Sequence, residues 1–184
     1  MAKISSESRR ASARNLSCGA MFVIGSVLLM SSVAAAAGAG YEGTPVTLRG
    51  LGASIPVTTV APLCTSGKTI TAVVAGVKLK IVVPAGDFKC GEQLVVGNAA
   101  NVKGVKNTKR IVAFDIAIYK NGTPKTAAFG HALKIIVTSP KVSTGDKVYQ
   151  SFGNVWGLAN SYVITSGKAT INFGAPHLIE VAKS

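Results

Sequence analysis

The stretch that most limits what this chain can become is Arg110 to Tyr119, RIVAFDIAIY. Val112, Phe114, Ile116 and Ile118 share one side of an extended backbone, and Ala113, Asp115 and Ala117 share the other. A period of two marks a strand, because successive side chains point to opposite faces. The bulky face needs a core and the small or charged face is expected to meet water, so the sequence asks for a sheet packed on one side.

The rest of the chain repeats that grammar. Thr44 to Leu48, Ser54 to Val60, Thr69 to Ala75, Val77 to Val83 and Gln93 to Val96 read as short strands, broken by Arg49-Gly50-Leu51-Gly52, Gly76 and Pro84-Ala85-Gly86-Asp87. Within the fourth of these, Lys78 and Lys80 alternate with apolar residues and point to solvent. Beyond the central strand, Ala132 to Thr138, Val148 to Phe152, Tyr162 to Thr165, Ala169 to Phe173 and His177 to Val181 follow. About ten short strands with regular turn signals and no helical period predict an all-β fold, a single antiparallel β-sandwich of immunoglobulin-like character. Asn121-Gly122 predicts a tight hairpin after the central strand, since both residues tolerate positive φ. That turn accounts for a glycosylation-like Asn121-Gly122-Thr123 without a sugar. GNAANVKGVKNTK, at 97–109, is polar and aperiodic and reads as the longest loop.

The N-terminal part differs in kind. Residues 1–15 are polar and basic, whereas 16–39 carry no charge and include MFVIGSVLLM followed by small residues. This is the pattern of a signal peptide with a helical apolar region, and its small-x-small sites place the start of the mature chain at Gly38 or Gly40. The domains are therefore a leader, 1–39, and a β-sandwich, 40–184, joined through a linker-like YEGTP. A retained leader would be long enough to span a bilayer, and only then would the protein be held in a membrane. Arg9-Arg10 resembles a twin-arginine signal, but no apolar residue follows where that pattern wants one, so general secretion is expected. The protein is thus expected to be secreted or displayed at the cell surface.

Charge narrows the partners. The chain has 20 Lys and Arg against 7 Asp and Glu, and the part after the leader keeps 16 against 6, or +10. Such an excess attracts anionic wall polymers, lipid headgroups or acidic surface proteins. Lys103, Lys106, Lys109 and Arg110 crowd into eight residues and form the candidate anion-binding loop. Aromatics that would stack bases are not interleaved with them, so nucleic acid is not expected. Tyr149, Trp156 and Tyr162, with Phe152 among them, are candidate ligand-binding aromatics that suit a sugar, and they suit a core equally.

Cys64 and Cys90 are the cysteines remaining after the leader, and export into an oxidising compartment predicts a disulfide between them. Closing that loop restricts the unfolded chain by about 3.5 kcal/mol. Cys64, Cys90, His131 and His177 lack the paired close spacing of a structural zinc site, so no metal or other cofactor is expected. Ser66-Gly67-Lys68-Thr69 imitates the end of a phosphate loop, but Pro62 stands where its first glycine belongs. Asp87, Asp115 and Asp146 offer carboxylates to a hydrolase, yet no nucleophile elbow accompanies them and no catalytic residue is assigned. An internal Lys to Asn isopeptide bond needs a buried carboxylate, and the outward placement of Asp115 argues against one.

VKLKIVVPAGDF, VAFDIAIYKNG, HALKIIVTSP, GDKVYQ and GKATINFGAPHLIEVA, spread over residues 69–182, resemble the β-sandwich domain shared by ankyrins, zonula-occludens proteins and netrin receptors and its bacterial surface-protein relatives. Self-cleaving members carry His-Phe-Ser in the last strand; here the similar position reads His177-Leu178-Ile179, without the serine, so self-cleavage is not expected. The resemblance implies a structural or interaction module and no enzyme. A carbohydrate-binding module built around Trp156 is the second expectation, and a small secreted hydrolase the third.

Overall fold

The computed structural model describes residues 47–184, and every regular element among them is a strand. In chain order these are β1 (Thr47–Gly50), β2 (Ala53–Leu63), β3 (Lys68–Val74), β4 (Val77–Val83), β5 (Glu92–Asn98), β6 (Lys109–Lys120) and β7 (Thr123–Lys125). They continue as β8 (Leu133–Thr138), β9 (Lys147–Phe152), β10 (Val155–Leu158), β11 (Tyr162–Thr165), β12 (Lys168–Phe173) and β13 (His177–Lys183). One sheet has the order β1-β2-β5-β6-β13-β9-β10, with β7 attached to β6, and the other has the order β11-β12-β8-β4-β3. The all-β expectation is met, and the two antiparallel sheets are consistent with the expected sandwich. The expected leader and the expected YEGTP linker lie outside the described residues.

The central strand is β6, and its bulky face behaves as its sequence requires. Val112, Phe114, Ile116 and Ile118 are buried against Leu79 and Ile81 of β4 and Ile135 and Val137 of β8, in one core to which both sheets contribute. Each side chain of this size stabilises by about 1.5–3 kcal/mol when fully removed from water. In β4 the same alternation leaves Lys78 and Lys80 exposed. Asn121-Gly122 does turn the chain from β6 into β7, with φ of 48° and 75° and Lys120 paired to Thr123. Leu51-Gly52 and Ala75-Gly76 have nearly the same pair of angles and close β1–β2 and β3–β4. They lack the Asn-Gly signature, but the flanking strands impose the same turn.

Two strands, β7 and β10, carry no alternating signal in the sequence. Pro124 argues against a strand at β7, yet β7 pairs only with β6, so a missing N–H is tolerated at that edge. β10 is short, and glycines at 153 and 157 disguise its period.

The far face of β6 corrects the sequence reading. Ala113 is 2% exposed and Asp115 only 8%, so this face does not meet water. The ladder of β2 shifts between Val57 and Thr59, and Leu48 of β1 and Ile55 of β2 lie with Val95, Ala99, Val102, Ala113 and Leu178 in a second apolar cluster. Small residues make the room: a Cβ on Gly97 would lie 2.7 Å from Ile55 Cγ2 and 3.1 Å from Leu48 Cδ1. β5 is consequently buried on both faces. Asp115 is thus a buried carboxylate of the kind an isopeptide bond needs, although no lysine forms an ion pair with it among the described residues.

Burial pushes the Asp115 carboxyl up to about 6, against a weaker opposing hydrogen bond from the Ile116 backbone. The folded protein therefore holds this proton more tightly than the unfolded chain does. The stability tied to it is full below the ordinary aspartate range, falls as pH rises toward 6, and stays low above that. Asp115→Asn should be about 2 kcal/mol more stable than the parent at pH 7.5 and indistinguishable from it at pH 3.5, as read by denaturant titration. Equal midpoints at both pH values would contradict this assignment.

Candidate anion-binding loop and its buried anchor

The sequence marks 97–109 as a polar, basic loop; the structure confines the loop between β5 and β6 to 99–108 and ties it down along its length. Ala99 and Val102 are buried in the second apolar cluster, and the Ala99 N–H donates to the Ala113 carbonyl of β6. Trp156 of β10 donates its indole N–H to the Lys103 carbonyl at 2.8 Å. The deepest anchor is Glu180 of β13, whose side chain is 1% exposed. Arg110 holds it through Nη2 at 2.7 Å and Nε at 3.0 Å, both to Oε2. Its third nitrogen, Nη1, donates to the carbonyls of Ala99 at 3.2 Å and Ala100 at 2.9 Å. The Val105 N–H reaches the same carboxylate at 3.4 Å, and the Thr108 hydroxyl bridges toward it from the Val105 carbonyl.

The register of the sheet explains why these residues meet. Glu180 pairs with Ala113 of β6 and with Tyr149 of β9, so its side chain stands on the covered far face. Arg110 enters from the neighbouring strand opposite Ala182, beyond the irregularity between Val181 and Ala182. Gly104 lets the loop close over the pair: a Cβ there would lie 2.7 Å from Arg110 Nη2 and 3.0 Å from Glu180 Oε2.

Of the four residues assigned to the basic loop, Lys103, Lys106 and Lys109 remain exposed, whereas the guanidinium of Arg110 is committed inward. The three aromatics are not brought together. Tyr149 and Trp156 stand on the β9–β10 hairpin, with Trp156 packed against the second cluster. Tyr162 begins β11 in the other sheet and packs against the main core.

Cys64 and Cys90 form the expected disulfide, which joins the end of β2 to the approach of β5. The two histidines lie in different surroundings. His131 Nδ1 is 2.6 Å from Asp87 Oδ1, and its backbone N–H also donates to that carboxylate. Burial raises the Asp87 carboxyl, but hydrogen bonds from the His131 ring and backbone, with the ring's charge, leave it below the usual range. His177 lies beside the Phe152 and Phe173 rings, and burial lowers its pKa. Among the described residues no three His, Cys, Asp or Glu side chains gather as metal ligands.

Glu180 is the important residue the sequence reading passed over. Its signal was present: one acid inside the apolar run LIEVA, in a chain whose cations outnumber its acids almost threefold, calls for a buried ion pair. No known family model matches this chain, and no curated protein or solved structure matches it either.

Trp156→Phe removes the donor to Lys103 and should destabilise by about 1 kcal/mol. Gly104→Ala forces a methyl into the ion pair and should cost about 1–3 kcal/mol. Both should speed amide hydrogen exchange at Val102 and Val105 more than in β4 or β8. Unchanged exchange at those two amides would show that the loop is not held by these contacts.

Proposed function

We propose that this chain is an exported, non-catalytic β-sandwich module that works at the cell surface or outside the cell by binding anionic material. The observation that carries this reading is the partition of charge. Setting aside Lys3, Arg9, Arg10, Arg14, Glu7 and Glu42, which lie outside the described residues, leaves 16 cationic and 5 acidic residues. Three acids are held in ion pairs, Glu92 by Lys125, Asp146 by Lys183 and Glu180 by Arg110, Asp87 is hydrogen-bonded by His131, and none of these four acidic side chains is more than 6% exposed. The fifth, Asp115, is buried. Fourteen of the sixteen cations are exposed. Negative charge is thus spent inside the fold while positive charge covers the outside, a distribution that draws polyanions over a Debye length.

Export is supported by the Cys64–Cys90 disulfide, which fits an oxidising compartment. The resemblance to ankyrin-type and bacterial surface β-sandwich domains supports a module over an enzyme. The one His–carboxylate pair described here, Asp87 with His131, has no Ser, Thr or Cys bonded to it among the described residues, which leaves a hydrolase little support. A sugar platform has less support than an anion surface, because Tyr162 stands on a different sheet from Trp156.

Retention of the full chain on immobilised polyphosphate should fall roughly tenfold as salt rises from about 50 to 500 mM. Lys103→Glu combined with Lys106→Glu and Lys109→Glu should weaken retention further at low salt. Retention that ignores both salt and charge reversal would end the anion-binding reading.

A further inference from the structure

A further cluster of cations begins at the end of the basic loop, with Lys109 and Arg110, where three separate parts of the chain converge. Lys109, Arg110 and Ile111 at the start of β6, Pro140, Lys141 and Ser143 of the β8–β9 connection, and Lys183 at the end of β13 line an open cavity of about 650 Å³. None of these lining residues is acidic. The connection that supplies Lys141 and Ser143 is built rather than loose. Val142 is buried and its N–H donates to the Ser139 carbonyl at 3.0 Å, while the Ser143 N–H donates to Asp146 Oδ2 at 2.8 Å.

The hydrogen-bond inventory of the cavity decides which ligand suits it. Arg110 is spent on Glu180 and on two loop carbonyls, so the planar fork that favours a carboxylate is withdrawn. Lys183 Nζ donates to Ser143 Oγ at 2.7 Å and to Asp146 Oδ2 at 3.1 Å, which uses two of its three protons. Because Ser143 accepts from Lys183, its own hydroxyl proton is left to donate into the cavity. Lys109 and Lys141 are exposed and add two ammonium groups. Point-charge donors from several directions together with a hydroxyl complement a tetrahedral oxyanion. The volume exceeds what one phosphate fills, and Ile111 and Pro140 offer an apolar wall to whatever the phosphate is attached to.

We infer that this cavity binds a phosphate ester, held by Lys109, Lys141, Lys183 and Ser143. The inference rests on the anion-binding reading above and gives it a defined site and ligand class. The ester can be a soluble polyol or sugar phosphate or the headgroup of an anionic lipid, and the chemistry is shared.

The test titrates the full chain with glycerol 1-phosphate by calorimetry, and in a second arm with vesicles of phosphatidylglycerol in phosphatidylcholine. Lys141→Gln with Ser143→Ala should weaken binding roughly tenfold, as expected for loss of a charge-assisted and a neutral hydrogen bond. Lys78→Gln with Lys80→Gln, which removes two charges from the exposed face of β4 against the one lost at Lys141, should change it less than about twofold. Lys141→Arg, which keeps the charge, should retain most of the affinity and so separate loss of the site from misfolding. A loss seen with the soluble ester identifies a free phosphate ester as the ligand source; a loss seen only with vesicles identifies the headgroup. Equal losses in the cavity and β4 variants, or no saturable binding in either arm, would overturn the site. If polyphosphate retention survives that failure, the general anion-binding reading stands without this cavity; if both fail, neither does.

Discussion

The contact on which the outer half of this structure depends is the ion pair between Arg110 and Glu180. A carboxylate with 1% of its side chain exposed has lost its water, and an unpaired charge there would cost several kcal/mol. Arg110 answers it with two nitrogens and uses the third to hold the carbonyls of Ala99 and Ala100. One side chain therefore joins β6, β13 and the loop between β5 and β6. A buried pair of this kind adds little net stability compared with apolar residues of the same shape. What it supplies is position, because alternatives that separate the two charges are far higher in energy.

Position matters because the protein's surface character follows from where its few acids go. Each acid that is drawn into an internal pair removes a negative charge from the surface and, in the cases of Glu92, Asp146 and Glu180, fixes a strand end or a connection. Glu92 shows the same device on a smaller scale. Burial raises its carboxyl, but the Lys125 ammonium at 2.8 Å and the Lys89 N–H at 3.0 Å outweigh that and keep it low. The lysines left over face outward by default. A basic exterior in this fold is the consequence of using carboxylates as internal ties, and the cavity at Lys109, Lys141 and Lys183 is where three such segments meet.

Much of the frame could be read from residue order because strands write their faces into the sequence at a fixed period. Val112, Phe114, Ile116 and Ile118 declared the core, Lys78 and Lys80 declared an outer surface, and Asn121-Gly122 declared a turn. The disulfide followed from having two cysteines, Cys64 and Cys90, beyond the expected leader. The second cluster was hidden because the far face of β6 is made of Ala113, Asp115 and Ala117, which look solvated until another layer covers them. That layer comes from Leu48 and Ile55, roughly sixty residues away, and no local pattern announces such a contact. The basic loop was found by composition, but its anchoring was not, since the partners of Arg110 and Lys103 are Glu180 and Trp156 on distant strands. The cavity was invisible for the same reason: Lys141 and Lys183 are unremarkable until β6 and β13 bring them beside Lys109.

A double-mutant cycle across Arg110 and Glu180 tests this account most directly. Arg110→Met, Glu180→Met and the double variant are compared with the parent by denaturant titration at neutral pH. Each single change should cost about 3–5 kcal/mol because it strands the partner charge, and the double variant should recover enough to give a coupling of about 2 kcal/mol or more. A coupling near zero, with the double variant losing the sum of the singles, would contradict the claim that this pair organises the loop and the surface around it.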